Sequence, residues 1–177
     1  PPPAEIPTAT PAAKVHPLKR AVLNFLAWFD TSTVDGEVRP EDARKIDLVR
    51  VIPFIGLHVA CIGIWWTGFS WFAFWTAVVL YALRMFAITG FYHRYFSHKS
   101  FKTSRPVQFA MGVLGAASVQ RGPLWWAAHH RHHHLHSDQP EDMHSPVQHS
   151  LFWSHMGWFL SRAGFRTDTS RIKDLLK

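Results

Sequence analysis

The chain has 177 residues, 19 Lys and Arg against 12 Asp and Glu, and 13 histidines, eleven of them between His93 and His155. That length suits one domain, or part of a larger one, and excludes two independent enzymatic lobes, while a single cysteine, Cys61, excludes a disulfide framework and a thiolate metal cluster. A net charge of +7 would suit nucleic acid by its sum alone, but the basic stretch also carries most of the nine Trp and many of the 14 Phe, so a nucleic-acid partner is excluded.

Pro1 to Pro17 holds six prolines, and residues 1–20 read as a disordered tail. Residues 21–50 read as a cytosolic or interfacial segment. Within it Ala21 to Phe29 (AVLNFLAWF) is too short to span a membrane and is predicted to lie on it, and Thr31 to Asp47 is a polar connection. Residues 51–90 form the apolar heart of the chain. Val51 to Gly68 is 18 residues without a formal charge, and Trp71 to Gly90 is 20 residues with only Arg84. As helices they would be roughly 27 to 30 Å long, enough for the hydrocarbon core, which predicts a transmembrane hairpin. Trp65, Trp66, Trp71 and Trp75 crowd its turn like an interfacial belt. Arg44, Lys45 and Arg50 precede the hairpin and Arg94, Lys99, Lys102 and Arg105 follow it, so the positive-inside rule puts both ends in the cytoplasm. Arg84 is close enough to that end to snorkel. The alternative is a hairpin buried inside a soluble protein. Pro53 is expected in the first helical turn, and His58 is expected to hydrogen-bond a neighbouring helix. Residues 91–177 read as a cytosolic region, with a buried or interfacial helix over Val107 to Val119, a break at Gly122 and Pro123, and a helix over Leu124 to His136. The fold class is therefore an all-α membrane protein, a transmembrane hairpin with cytosolic helices.

The chemistry lies in the histidines. No Asp or Glu occurs between Asp47 and Asp138, so a site there must use imidazoles. His93 and His98 (HRYFSH) stand where the second span leaves the membrane. His130, His133 and His134 (HRHHH) lie at i, i+3 and i+4 on the predicted helix and are expected to converge on one point, with Arg131 and His132 pointing elsewhere. Five neutral imidazoles without a carboxylate suit iron or zinc and disfavour magnesium or calcium, and a two-metal centre with further ligands is more natural than one ion with five histidines. A carboxylate-bridged di-iron bundle is excluded, because Glu141 to His144 is the one Glu-x-x-His spacing and prolines flank it. The competing reading is a surface metal-sequestering tract, since six histidines fall within His129 to His136.

Three segments carry a family resemblance: TGFYHRYFSHKSFKTSR (Thr89 to Arg105), QRGPLWWAAHHRHHHLHSD (Gln120 to Asp138) and EDMHSP with FWSHMGW (Glu141 to Trp158). From about Ile46 onward the chain resembles the N-terminal portion of membrane acyl-CoA delta-9 fatty acid desaturases, stearoyl-CoA desaturase-like and of bacterial type. The resemblance implies a partial desaturase fold whose cytosolic cap carries two histidine boxes and two non-haem iron ions. It implies O2-dependent insertion of a cis double bond into a saturated acyl-CoA, in a multi-pass protein of a bacterial inner membrane. Electrons would come from cytochrome b5, ferredoxin or rubredoxin, with NAD(P)H upstream and membrane lipid around it. By position, His93, His98, His130, His133 and His134 become metal ligands. Trp126 would line the acyl tunnel, and Gln120, Arg121 and Arg131 would lie near the thioester or the CoA phosphates. His144 and His155 are expected in supporting roles, and His129 is not taken as a ligand. The family also has a second hairpin and a third histidine cluster, which implies that these residues are its first half and inactive alone. Two rivals stay open: a lipid or alkane hydroxylase of the same superfamily, and a non-catalytic membrane protein that binds zinc or nickel.

Overall fold

A computed structural model describes residues 16–26 and 40–177. The bulk of the Pro-rich tail and most of the polar connection to the hairpin lie outside the described residues. The described residues form helices, joined by turns, with one isolated antiparallel bridge between Ile46 and Ser161 and no strand. The first helix, α1 (Pro17–Leu26), starts earlier than the apolar run alone predicts, and its Val22, Leu23, Phe25 and Leu26 are exposed.

Two long apolar helical stretches follow. The first joins α2 (Leu48–Cys61) to the short α3 (Ile64–Thr67), and the second joins α4 (Trp71–Phe86) to a π-helical segment, Ala87–Ser97. Both are long and apolar enough to cross a membrane, at 20 and 27 residues, and only 6% and 11% of their most apolar windows is buried inside the chain. The core hairpin of a soluble domain is mostly buried, which these two stretches are not among the described residues. The start of α2 is set by Asp47, whose carboxylate accepts from the Arg50 amide at 3.1 Å and pairs with the Arg50 guanidinium at 2.7 Å. That cap places the helix start at Leu48, and Pro53 therefore lies inside α2 and not in its first turn. His58 also departs from expectation: its Nδ1 donates to the Phe54 carbonyl of its own helix at 2.8 Å. At the other side of the turn, Ser70 Oγ caps α4 by accepting from the Ala73 amide.

The rest of the chain packs against the far end of the second stretch. Helix α5 (Arg105–Ala116) lies on the π-helical segment through a close approach at Gly115, where a Cβ would stand 2.5 Å from Tyr92 Cδ1 and 2.6 Å from Cζ. Tyr92 is wholly buried, and its hydroxyl donates to the carbonyls of Gly112 and Arg121 at 3.2 and 3.0 Å. Helix α6 (Pro123–His136) follows a loop in which Val119 and Arg121 both take positive φ, 59° and 65°. The C-terminal residues return as α7 (Trp158–Leu160), α8 (Arg162–Phe165) and a 3-10 turn, Thr169–Ile172. Backbone bonds from Asp47 to Leu160, Arg162 to Lys45 and Ala163 to Ala43 tie that return to the base of α2. Two small apolar clusters complete the packing. One joins Val51 to Leu160 and Phe165, and the other joins Ala127 and Ala128 of α6 to Ile172.

Candidate metal centre

The spacing of His93 and His98 is awkward on an α-helix, where five residues turn through about 500° and leave the two side chains roughly 140° apart. The backbone resolves this by winding as a π-helix over Ala87–Ser97, closed by the i to i+5 bond from the His98 amide to the His93 carbonyl at 3.1 Å. The wider turn brings both imidazoles to one side. On α6, His130 and His134 are one turn apart and face them.

Four Nε2 atoms meet there. His98 Nε2 lies 3.1 Å from His93 Nε2 and 3.1 Å from His130 Nε2, and His134 Nε2 lies 3.0 Å from His130 Nε2. A neutral imidazole has one N–H, so a hydrogen-bond chain of this kind uses the rings poorly. A cation bound at about 2.0 to 2.1 Å from each nitrogen sets neighbouring nitrogens about 3.0 to 3.4 Å apart, the spacing seen. Ring orientation agrees, since lone pairs lie in the ring planes and converge only if the planes cross steeply. The five ring pairs within this quartet that touch have interplanar angles of 78° to 88°. Burial drives His130 down to about 3, helped by His134, His93 and His98, and it lowers His98 in the same way. Both rings therefore stay neutral with lone pairs available at neutral pH. The donor set fits a borderline metal such as iron or zinc.

His133 is not brought into this quartet, although its spacing predicts that it converges with His130 and His134. Its Nδ1 donates to Asp142 Oδ2 at 2.9 Å, and its ring stacks on His144 at 4.2 Å. The reason is angular: i+3 and i+4 diverge by about 100° around α6, and a buried carboxylate captures the ring on one side. A carboxylate thus stands behind His133, outside the four converging imidazoles. Asp142 lies beyond the acid-free stretch, and the loop Asp138 to Ser145 folds it back under α6. Backbone donors from Asp138 and His144, followed by the nearby His144 and His133, hold its carboxyl below the usual range against the opposing effect of burial.

A cavity of about 840 Å³ adjoins the histidines, bordered by Phe54, Leu57, Trp125, Trp126, Trp158 and Phe159 on its apolar side. Gln120, Arg121, Trp126, His130 and His133 all line it, as do His144 and His155. Trp126 stacks on His130 at 4.6 Å and donates from Nε1 to Gln120 Oε1 at 3.3 Å. Arg121 borders the cavity, but its guanidinium is turned into the protein, donating to the carbonyls of Phe159 and Gly164 and lying 3.7 Å from the Phe165 ring. Burial pushes it down to about 9, with Arg50 adding to the effect and Asp47 opposing it. Arg131 does not line the cavity. It donates to the carbonyls of Phe96, Ser97 and Arg171 and pairs with Asp174 at 2.7 Å. His129 donates from Nε2 to the Arg166 carbonyl at 2.9 Å, and burial pushes it down to about 4, outside the quartet.

Comparison with known proteins gives the same family by two routes, a family model and curated relatives. The model of the fatty acid desaturase family matches residues 69–173. The acyl-CoA 5-desaturase AL21 of Anemone leveillei is 37% identical over 138 residues, 76% of this chain and 42% of that protein. The sn-1 stearoyl-lipid 9-desaturase of Anabaena variabilis is 34% identical over 134 residues, 74% of this chain and 49% of that protein. The hex-5-enoyl-[acyl-carrier protein] acetylenase of Moorena producens is 34% identical over 122 residues, 63% of this chain and 38% of that protein. The chain thus spans less than half the length of these curated relatives. No solved structure matches it significantly.

Proposed function

The chain belongs to the fatty acid desaturase family, and from that premise we propose that it acts in O2-dependent insertion of a cis double bond into a saturated acyl-CoA, at the delta-9 position. The observation that carries this reading is the convergence of four Nε2 atoms at 3.0 to 3.1 Å beside an apolar cavity. We assign His93, His98, His130 and His134 to one non-haem iron and His133 to a second. Iron, when bound, supplies the means to reduce O2 to two waters with two hydrogens taken from the acyl chain and two electrons and two protons from outside. Those electrons come from a cytochrome b5, ferredoxin or rubredoxin, fed by NAD(P)H.

The protein's own part is to bind, orient and exclude water. Trp125, Trp126 and Phe54 give the acyl chain apolar walls, and the ring of Trp126 against His130 fixes how far the chain passes from the metal. Gln120 and Arg121 close the same cavity, with Arg121 acting through the carbonyls it holds. Arg131, bound to Asp174, is reassigned from the CoA phosphates to holding the two boxes together. We further propose that the two long stretches form a hairpin in a bacterial inner membrane with its N-terminus and histidine boxes in the cytoplasm. An impermeant maleimide applied from outside to Phe69→Cys, in a Cys61→Ala background, tests that orientation.

Saturated acyl-CoA, acyl-lipid and acyl-carrier-protein substrates, offered with reductant, a reductase and O2, separate the carriers. Mass spectrometry should show loss of two hydrogens from the acyl chain. Gain of one oxygen would identify a hydroxylase. Absence of product from a protein of the family's full length that contains these residues and two irons would overturn the proposal, whereas metal binding that survives His93→Ala and His98→Ala but is lost with residues 129–136 would identify a non-catalytic metal-binding tract.

A further inference from the structure

His133, Asp142 and His144 bring three potential ligand atoms within 4.8 Å of one another, so they resemble a small metal triad. The ring geometry argues against that use. His133 and His144 lie face to face, 4.2 Å apart and 29° from parallel. Their lone pairs run nearly side by side and do not cross at an ion, in contrast to the steep ring pairs of the quartet.

The carboxylate already accepts three hydrogen bonds. Asp142 is 1% exposed, and such a burial requires hydrogen-bond partners. Oδ2 accepts from His133 Nδ1 at 2.9 Å and from the Asp138 amide at 3.1 Å, while Oδ1 accepts from the His144 amide at 3.3 Å. The loop that carries it is braced in turn. Ser145 Oγ donates to Asp138 Oδ1 at 2.7 Å, Gln148 donates to the Asp138 carbonyl at 2.7 Å, and Trp153 donates to the Met143 carbonyl at 2.9 Å. His133 Nε2 has no hydrogen bond among the described residues, and the ring lines the same cavity as His130.

We propose that Asp142 is a positioning residue for His133: it accepts the Nδ1–H, fixes that tautomer and ring angle, and leaves Nε2 as the donor offered to the cavity, with His144 packing the ring's other face. A carboxylate behind a histidine ligand orients the ring and raises its basicity. This role rests on the metal-binding reading of the histidine boxes, but its central claim concerns the protein without metal.

The test is long-range proton–nitrogen NMR on the metal-free full chain labelled with 15N-histidine in detergent, with His133→Gln used to assign the signal. The wild type should show His133 protonated at Nδ1. Asp142→Asn, whose Oδ1 can still accept, should keep that tautomer, whereas Asp142→Ala should release the ring to populate Nε2–H. Cobalt(II) titration should show affinity falling ten- to one-hundred-fold in Asp142→Ala and changing less than about threefold in His144→Phe, which preserves the stacked face. An Nε2–H His133 in the wild type, or an Asp142→Asn tautomer no different from a folded Asp142→Ala, overturns the proposal. Loss of a bound cobalt in His144→Phe does so too, because it makes His144 a ligand. If Asp142→Ala does not fold, the wild-type tautomer and His144→Phe still decide. A chain that never binds iron but carries Nδ1–H at His133 defeats the functional reading and leaves this one standing.

Discussion

Replacing Gly115 with Ala tests the packing that holds the metal quartet. In a helix the change alone should favour folding by about 1 kcal/mol, because Ala is the better helix former. The structure reverses the sign. The new methyl would stand 2.5 Å from Tyr92 Cδ1 and 2.6 Å from Cζ, and closer still to Cε1, so the ring or α5 has to move by an ångström or more. Tyr92 cannot swing away freely, since it is wholly buried and its hydroxyl binds the carbonyls of Gly112 and Arg121. Overpacking costs about 1 to 3 kcal/mol, and breaking the hydroxyl's bonds in a buried setting adds about 1 to 3 kcal/mol. After subtracting the helix gain, Gly115→Ala should destabilise by roughly 1 to 5 kcal/mol, a fall in melting temperature of roughly 2 to 20 °C. Because Tyr92 adjoins His93, cobalt affinity should drop as well. Thermal melts in detergent and cobalt titration measure the two effects. Tyr92→Leu in the same chain should recover part of the loss by making room, which gives a coupling beyond additivity. A Gly115→Ala protein that melts at or above the wild-type temperature would refute the argument.

The quartet itself makes a sharper pair. His98→Ala should abolish cobalt binding at that centre, since His98 Nε2 touches two of the other nitrogens, whereas His133→Ala should leave its d–d spectrum in place. Asp174 is depressed by Arg131 and Lys99, so its contribution is present above the unfolded carboxylate value near 3.9 and is lost as pH falls toward the folded value. Asp174→Asn should cost about 1 kcal/mol at pH 7, a figure kept low because Lys99 is half exposed, and urea melts should show that gap closing below about pH 4.

Length, hydropathy and flanking charge made the two apolar stretches legible from the residues alone, because helix length and bilayer thickness are fixed quantities that Val51 to Gly68 and Trp71 to Gly90 meet by counting. The boundaries were less legible. Asp47 caps the helix four residues before the uncharged run begins, since a cap is chosen by hydrogen bonding and not by hydropathy. The histidine boxes stood out by composition, but their geometry did not. An α-helical reading of HRYFSH separates His93 from His98, and only the π-helical turn reunites them. The same α-helical arithmetic grouped His133 with His130 and His134, because i+3 and i+4 both count as one face until a partner on one side chooses between them. Asp142 is that partner, and nothing in DQPEDMHSP distinguishes it from Glu141 before the loop is folded.

Arg131 shows why two boxes 32 residues apart can hold His98 and His130 within 3.1 Å. The apolar contact around α6 joins Ala127, Ala128 and Ile172 with the partly buried Phe96, Leu124 and Leu175, and apolar packing is not directional. The guanidinium adds direction. Its fork donates to the carbonyls of Phe96 and Ser97, at the end of the helical segment that carries the first box, and to Asp174 and the Arg171 carbonyl on the opposite side. Asp174 in turn binds Lys99, the residue after His98, which takes a positive φ of 53°. The second box therefore carries its own clamp between its first histidine and its later pair. A lysine at position 131 would keep the charge but could not reach four acceptors in one plane. Arg131→Lys should thus lower cobalt affinity at the quartet more than it lowers the melting temperature, and equal affinity in the two proteins would show that packing alone sets the distance between the boxes.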